Sequence, residues 1–282
     1  MADDSFKYEE SLHTAVYRLE LVKDSLLPKL CGLANWLQMK DASLIFNKWI
    51  FAEKATEDDC VDPVIPSTMK CKSVLIQALL KGKNRCSTQQ ASEILDKWLA
   101  FADSTVQQLE KYTAANLEGV IEVEKHPQET MAVSSQGART NHTMQIVLKI
   151  DGKQRYAHPF CLDRFTKLRS AYEVCTMVPS EMSAVEENQF LHRLLSMHLR
   201  YEVLLLHTAS EGMQGALLPA VFDALEADFG VSAELYASPM NCTLPAYCSL
   251  FPETDLHFGS LGNVMTFGPL QVEPPAALKF RV

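Results

Sequence analysis

Apolar residues recur at helical spacing through the first part of the chain. Between Ser5 and Gln38 they fall at Leu12, Val16, Leu19, Val22, Leu26, Leu30, Leu33 and Leu37, the i, i+3, i+4, i+7 pattern of an amphipathic helix. Pro28 interrupts this run, because proline removes a backbone donor and crowds the preceding turn. Phe46, Trp49, Ile50 and Phe51 mark a second helix. The stretch from Asp58 to Pro66, with its prolines and aspartates, reads as a loop. A third helix is predicted over Ser67 to Leu80, ending at the basic turn Lys81-Gly82-Lys83-Asn84-Arg85. Ser87 is a natural N-cap for a fourth, whose stripe is Ile94, Leu95, Trp98, Leu99, Phe101, Val106 and Leu109.

The pattern then changes. Residues 126–142 are polar and read as a connector. Met144 to Ile150 is β-rich, Asp151-Gly152 is a strong hairpin turn, and Lys153 to Ala157 is the return strand. A helix is predicted from Pro159 to Cys175 with Phe165, Leu168 and Tyr172 on one face. Further helices are predicted over Ser183 to Leu206 and Leu217 to Asp228, the last stopped by Gly230. Val231 to Tyr236 reads as a buried strand leading into Ala237-Ser238-Pro239-Met240-Asn241, and Asn263 to Phe267 as another. Helix, glycine, short strand and loop in that order suggest an open α/β sheet, where ligands sit at the carboxyl ends of the strands. The predicted organisation is a helical domain over 1–125, a connector over 126–142, and a third part over 143–282.

Composition adds limits. A formal charge of −9 argues against whole-chain attraction to a polyanion, so nucleic-acid contact would need a local basic patch. Two such clusters exist: Lys81, Lys83 and Arg85, and Arg164, Lys167 and Arg169. The N-terminus has no apolar signal-like run, and no apolar stretch is long enough to span a membrane, so an intracellular chain with no membrane association is expected. The 8 cysteines form no C-x2-C pair and are expected to be free, mostly buried thiols. The 8 histidines show no metal spacing, so no metal site is expected; His192 and His198 are expected at a helix surface and core edge. Gly212 and Gly215 read as a helix break, not a nucleotide loop.

Several C-terminal runs carry a resemblance. They are Met213-Gln214-Gly215-Ala216-Leu217-Leu218-Pro219, Val221-Phe222-Asp223-Ala224-Leu225, Phe229-Gly230-Val231-Ser232, Tyr236-Ala237-Ser238-Pro239-Met240-Asn241-Cys242, Tyr247-Cys248-Ser249, Phe251-Pro252-Glu253-Thr254-Asp255, Phe258-Gly259-Ser260 and Phe267-Gly268-Pro269-Leu270. Over roughly 160–270 the chain resembles the phosphorylated-CTD-interacting factor family, cap-specific mRNA adenosine N6-methyltransferases. The resemblance implies a helical domain followed by a partial Rossmann-like methyltransferase domain, an α plus α/β fold. It implies S-adenosylmethionine as cofactor, capped mRNA as partner and a nuclear location, with the cytoplasm as the alternative.

The same resemblance implies cofactor contacts at Ala237, Ser238, Pro239, Asn241, Asp255, Phe258 and Gly259, and RNA contacts at Arg164, Lys167 and Arg169. The family's Asn-Pro-Pro-Phe motif binds the target amine and stacks on the base. Its counterpart is Glu273-Pro274-Pro275-Ala276, a degenerate catalytic set lacking the Asn and the Phe. Base stacking on an aromatic contributes ~1–3 kcal/mol, which Ala276 cannot supply. A C-terminally truncated family member with little activity is one expectation. A non-catalytic paralogue that binds RNA or protein is another, and an unrelated helical interaction protein a third. The family's WW domain requires two tryptophans in a β-meander. Trp36, Trp49 and Trp98 all lie in helical patterns, so neither a WW domain nor binding of the RNA polymerase II tail is expected.

Overall fold

The computed structural model describes residues 4–54, 62, 64–80, 86–116, 121–134, 137–205 and 216–264. The predicted catalytic set Glu273, Pro274, Pro275 and Ala276 lies outside them, as do Lys81, Lys83, Arg85, Gly212 and Gly215.

The first helical run is divided as Pro28 requires. Helix α1 (Asp4–Leu21) passes through a π-helical turn (Val22–Leu26) into α2 (Leu27–Leu33), with Pro28 in the first turn of α2. A π turn loosens the backbone ladder just where proline cannot donate to it. Trp98 Nε1 donates to the Leu26 carbonyl at 2.9 Å, occupying an acceptor of that turn. Helices α3 (Met39–Lys54), α4 (Lys72–Leu80) and α5 (Thr88–Asn116) complete the helical part. Ser87 caps α5 reciprocally: its Oγ accepts from Gln90 N at 3.2 Å while Gln90 Oε1 accepts from Ser87 N at 2.8 Å. Phe46, Trp49 and Trp98 form the aromatic centre, all at most 1% exposed.

The segment expected to be a connector is instead sheet. Strands β1 (Ile121–Ser134), β2 (Gly137–Ile150) and β3 (Lys153–Cys161) form an antiparallel meander in that order. β1 looks polar because it is an edge strand. Pro127 is tolerated there, and charges pair across the strands, as Lys149 with Glu124. Asp151 (φ 51°) and Gly152 (φ 69°) make the predicted two-residue turn, in the conformation that matches strand twist. Pro159 belongs to β3, so the following helix α6 (Leu162–Thr176) starts later than predicted.

Helix α7 (Ala184–Leu205) is buried along most of its length and packs against α1. One continuous apolar core therefore runs from α1 through the meander to the C-terminal loops. Helix α8 (Pro219–Phe229) ends at Gly230, whose φ of 67° is the left-handed conformation predicted for it. The expected strand over Val231 to Tyr236 shrinks to β4 (Ala233–Glu234), paired in parallel with β5 (Ala246–Tyr247), and Tyr247 bridges to Ser260 in parallel. A short helix α9 (Pro252–Asp255) lies between them. No strand forms at Asn263 and Val264, and the remainder of that predicted strand is outside the described residues. The architecture is mixed helix and sheet. Among the described helices none is long and apolar enough to cross a membrane.

Candidate functional site: the C-terminal loop cluster and the histidine pair

The parallel pairing of β4 and β5 brings three loops together, and each is fixed by hydrogen bonds. Glu234 Oε1 accepts from the amides of Thr243 and Leu244 at 2.5 and 2.7 Å, closing the loop after β4. Asn241 Oδ1 accepts from Ser238 N at 2.7 Å and Ser238 Oγ at 2.9 Å. Lys167 donates to the Cys242 carbonyl, tying α6 to the same loop. Gly259 has a φ of 104°, a backbone conformation that favours glycine, and it lies close to the Pro245 carbonyl oxygen.

Asp255 is the most perturbed carboxylate of the cluster. It is fully buried and accepts from Tyr201 Oη at 2.5 Å, while Thr254 Oγ1 donates to it at 3.1 Å. Burial pushes its pKa up to about 7, against the hydrogen bonds from Tyr201, Ser249 and Thr254 that lower it. Tyr201 is in turn held well above the ordinary phenol range, by burial first and then by Asp255. Beside it, Arg200 of α7 donates to Glu253 at 2.7 Å. Arg18 of α1 pairs with Asp62 at 2.8 Å, fully buried on both sides. Asp62 also accepts from the amides of Val64 and Ile65 at 2.7 Å each.

The structure thus brings together Ala237, Ser238, Pro239, Asn241, Asp255, Phe258 and Gly259, the residues expected to contact a cofactor. The side-chain contacts of Ser238, Asn241, Asp255 and Phe258 point into the fold, however. Ser238 and Asn241 engage each other, Asp255 faces Tyr201, and Phe258 packs on Tyr172 with ring centroids 5.8 Å apart. The predicted RNA-contact residues are similarly divided. Arg169 is ion-paired with Glu173 and Glu187, both at 3.1 Å, and Lys167 holds the Cys242 carbonyl. Arg164 is exposed and forms no ion pair among the described residues. Tyr236, which opens the Tyr236-to-Cys242 run, is 82% exposed.

A second constellation was not foreseen. His158 on β3 meets His198 and Glu202 on α7, with all ligand atoms within 4.8 Å of one another. The one sequence signal was the i, i+4 spacing of His198 and Glu202; His158 arrives through the strand. His192 and His198 are both buried, at 5% and 7% exposure, and not at a surface. Burial, and secondarily His13, holds His192 at about 4. Among the described cysteines, all free, only Cys242 and Cys248 are buried, fewer than expected.

The family model described as phosphorylated CTD interacting factor 1 WW domain matches residues 167–279. Human mRNA (2'-O-methyladenosine-N(6)-)-methyltransferase is 43% identical over 93 residues, and the mouse protein of the same name is 42% identical over 93 residues. The chain is similar to the cap-specific mRNA adenosine N6-methyltransferase. The alignment takes in 31% of this chain and 13% of each relative. The family match overturns the expectation that no WW domain is seen in this chain, and with it the ground for excluding the polymerase tail. That expectation rested on tryptophan spacing, and the matched residues contain no tryptophan, so the criterion searched for a signal the matched sequence does not carry. The match begins within α6, takes in α7 to α9 and runs on through Glu273 to Ala276.

Proposed function

We propose that this chain is a capped-mRNA-binding relative of the adenosine N6-methyltransferase, with low methyl transfer of its own. The observation that carries this reading is the 43% identity to the human methyltransferase, together with a family match covering the loop cluster. Residues 1–125 serve as a helical platform and 143–282 as the methyltransferase-related part. The parallel pairing of β4 with β5 supports reading that part as the beginning of a Rossmann-like sheet.

The methyl donor for such chemistry is S-adenosylmethionine. The polar side chains of Ser238, Asn241 and Asp255 are bonded within the fold, so this set does not fit as a group of cofactor acceptors. Glu273 and Ala276 replace the Asn and Phe of the family motif. A carboxylate brings charge to an amine whose lone pair must face the methyl group, and Ala276 provides no stacking surface. Both changes favour binding over turnover. Arg164 and Tyr236 supply a cation for phosphate and an aromatic face for a base, on elements joined by the Lys167 bond to the Cys242 carbonyl. A nuclear location follows from this reading.

The test is fluorescence anisotropy with a 7-methylguanosine-capped oligoribonucleotide beginning in 2′-O-methyladenosine, beside its uncapped counterpart. Cap-dependent binding supports the proposal; equal binding, or none, sinks it. Labelled S-adenosylmethionine in the same mixture reads turnover, which should be low. A second reading follows from the family's description: binding to a phosphorylated CTD peptide, measured by the same anisotropy method with phosphorylated and unmodified peptides.

A further inference from the structure

We propose that His158, His198 and Glu202 form a binding site for one zinc-type divalent cation between β3 and α7. The donor set is two imidazoles and one carboxylate, the N and O ligands that zinc takes when three protein groups leave a fourth position open. Two of the three donors sit four residues apart on α7, one turn along a single helix face, and the strand supplies the third.

Four observations support the site independently of the family resemblance. The imidazole rings of His158 and His198 have centroids only 3.8 Å apart, an approach two protonated rings would resist. His198 is 93% buried, and its Nε2 lies 3.3 Å from Glu202 Oε2 yet makes no hydrogen bond, leaving a buried nitrogen without a bonding partner. Tyr156 donates to Glu202, the outer-shell bond that typically orients a ligating carboxylate. Met240 Sδ lies 3.5 Å from His198 Nδ1, on the side of the ring away from Glu202.

The protonation states suit cation binding. Burial, followed by His198, holds His158 at about 4, so its ring is neutral near pH 7. Burial alone would raise Glu202, but the His198 ring and the Tyr156 hydroxyl beside it outweigh burial and hold the carboxyl at about 2. The nearby cations Lys23 and Arg164 act electrostatically on Glu202 and His158 respectively, so affinity must come from the donor set and not from the surrounding field. Donor atoms around tetrahedral zinc stand about 3.3 Å apart, given bonds of about 2.0–2.1 Å. The donors spread to at most 4.8 Å, so binding requires the three side chains to close by small torsional changes.

The experiment is calorimetry of the full chain, stripped with a chelator, with zinc chloride and then magnesium chloride as titrants. One equivalent of zinc with micromolar or tighter affinity is expected, and no magnesium binding. His158→Gln and Glu202→Gln should each weaken that equivalent at least tenfold, while metal-free thermal unfolding checks that both variants fold. Cobalt reports the ligand type, because thiolate ligation gives near-ultraviolet charge-transfer bands and an imidazole and carboxylate site does not. Absence of zinc binding, an equivalent unchanged in both variants, or thiolate bands would each overturn the proposal.

Discussion

Tyr201 Oη donates a 2.5 Å hydrogen bond to Oδ2 of Asp255, 54 positions further along the chain. This one contact joins α7, the spine of the core, to the loop cluster that lies within the family match over residues 167–279. With Arg200 and Glu253 beside it, it fixes α9 against α7. The C-terminal loops are thereby held by buried polar bonds as well as by apolar packing.

Asp255 makes stability depend on pH in a definite direction. Its carboxyl sits at about 7 when folded, against an ordinary 3.8 when unfolded. Between those values the folded chain holds a proton that the unfolded chain has released. Its contribution is therefore present in full below the unfolded value and falls as pH rises towards 7, by up to about 1.4 kcal/mol per pH unit. Urea unfolding of the native chain and Asp255→Asn at pH 4.5, 5.5, 6.5 and 7.5 should give a stability difference that moves steadily in favour of the variant. A difference constant across that range would show that the carboxyl does not titrate as described.

Trp98 tests the π turn. Trp98→Phe keeps most of the aromatic volume but leaves the Leu26 carbonyl buried without its 2.9 Å donor. A buried acceptor stripped of its partner costs about 1–3 kcal/mol. Chemical denaturation should show that loss with little change in slope, and no loss would mean water or another group serves the carbonyl.

Ser87 tests the start of α5. Ser87→Ala removes the oxygen that accepts from Gln90 N, and a lost N-cap costs roughly 0.5–2 kcal/mol. Thermal unfolding should report a lower midpoint, and Ser87→Asp should recover most of it.

The basic face separates engaged from available charge. Arg164→Glu should weaken capped-RNA binding and flatten its salt dependence, because an exposed cation exchanges counterions with phosphate. Arg169→Glu should instead lower stability, since it faces Glu173 and Glu187 at 3.1 Å. Anisotropy and thermal unfolding of the two variants, run side by side, should show opposite profiles.

Local chemistry was legible in the residue order. The heptad-like apolar spacing placed the helices, Pro28 announced a break, Ser87 a cap, Asp151-Gly152 a turn and Gly230 a helix end. Each depends on neighbours within four or five positions, so the chain carries the information directly. The meander was only half legible. The apolar alternation of β2 was visible, while β1 read as connector because an edge strand with charged cross-strand pairs looks like a polar loop.

The Ala-Ser-Pro-Met-Asn and Phe-Pro-Glu-Thr-Asp runs were visible in the sequence, and the fold places them in one loop cluster. What the side chains do there was not legible. Whether Asp255 faces solvent or Tyr201 depends on how α7 packs, and spacing along the chain says nothing of it. The same holds for Arg169, which looked available and is held by two glutamates.

The sequence by itself determined where most of the helices form and where they stop, and it carried a resemblance to the cap methyltransferases. Tertiary structure alone decided which charges are buried, which are paired, and that His158 meets His198 and Glu202. Secondary structure is written in short-range periodicity, whereas those environments come from elements far apart in sequence brought together by burial of the apolar core, where desolvation and proximity reset the chemistry of each group.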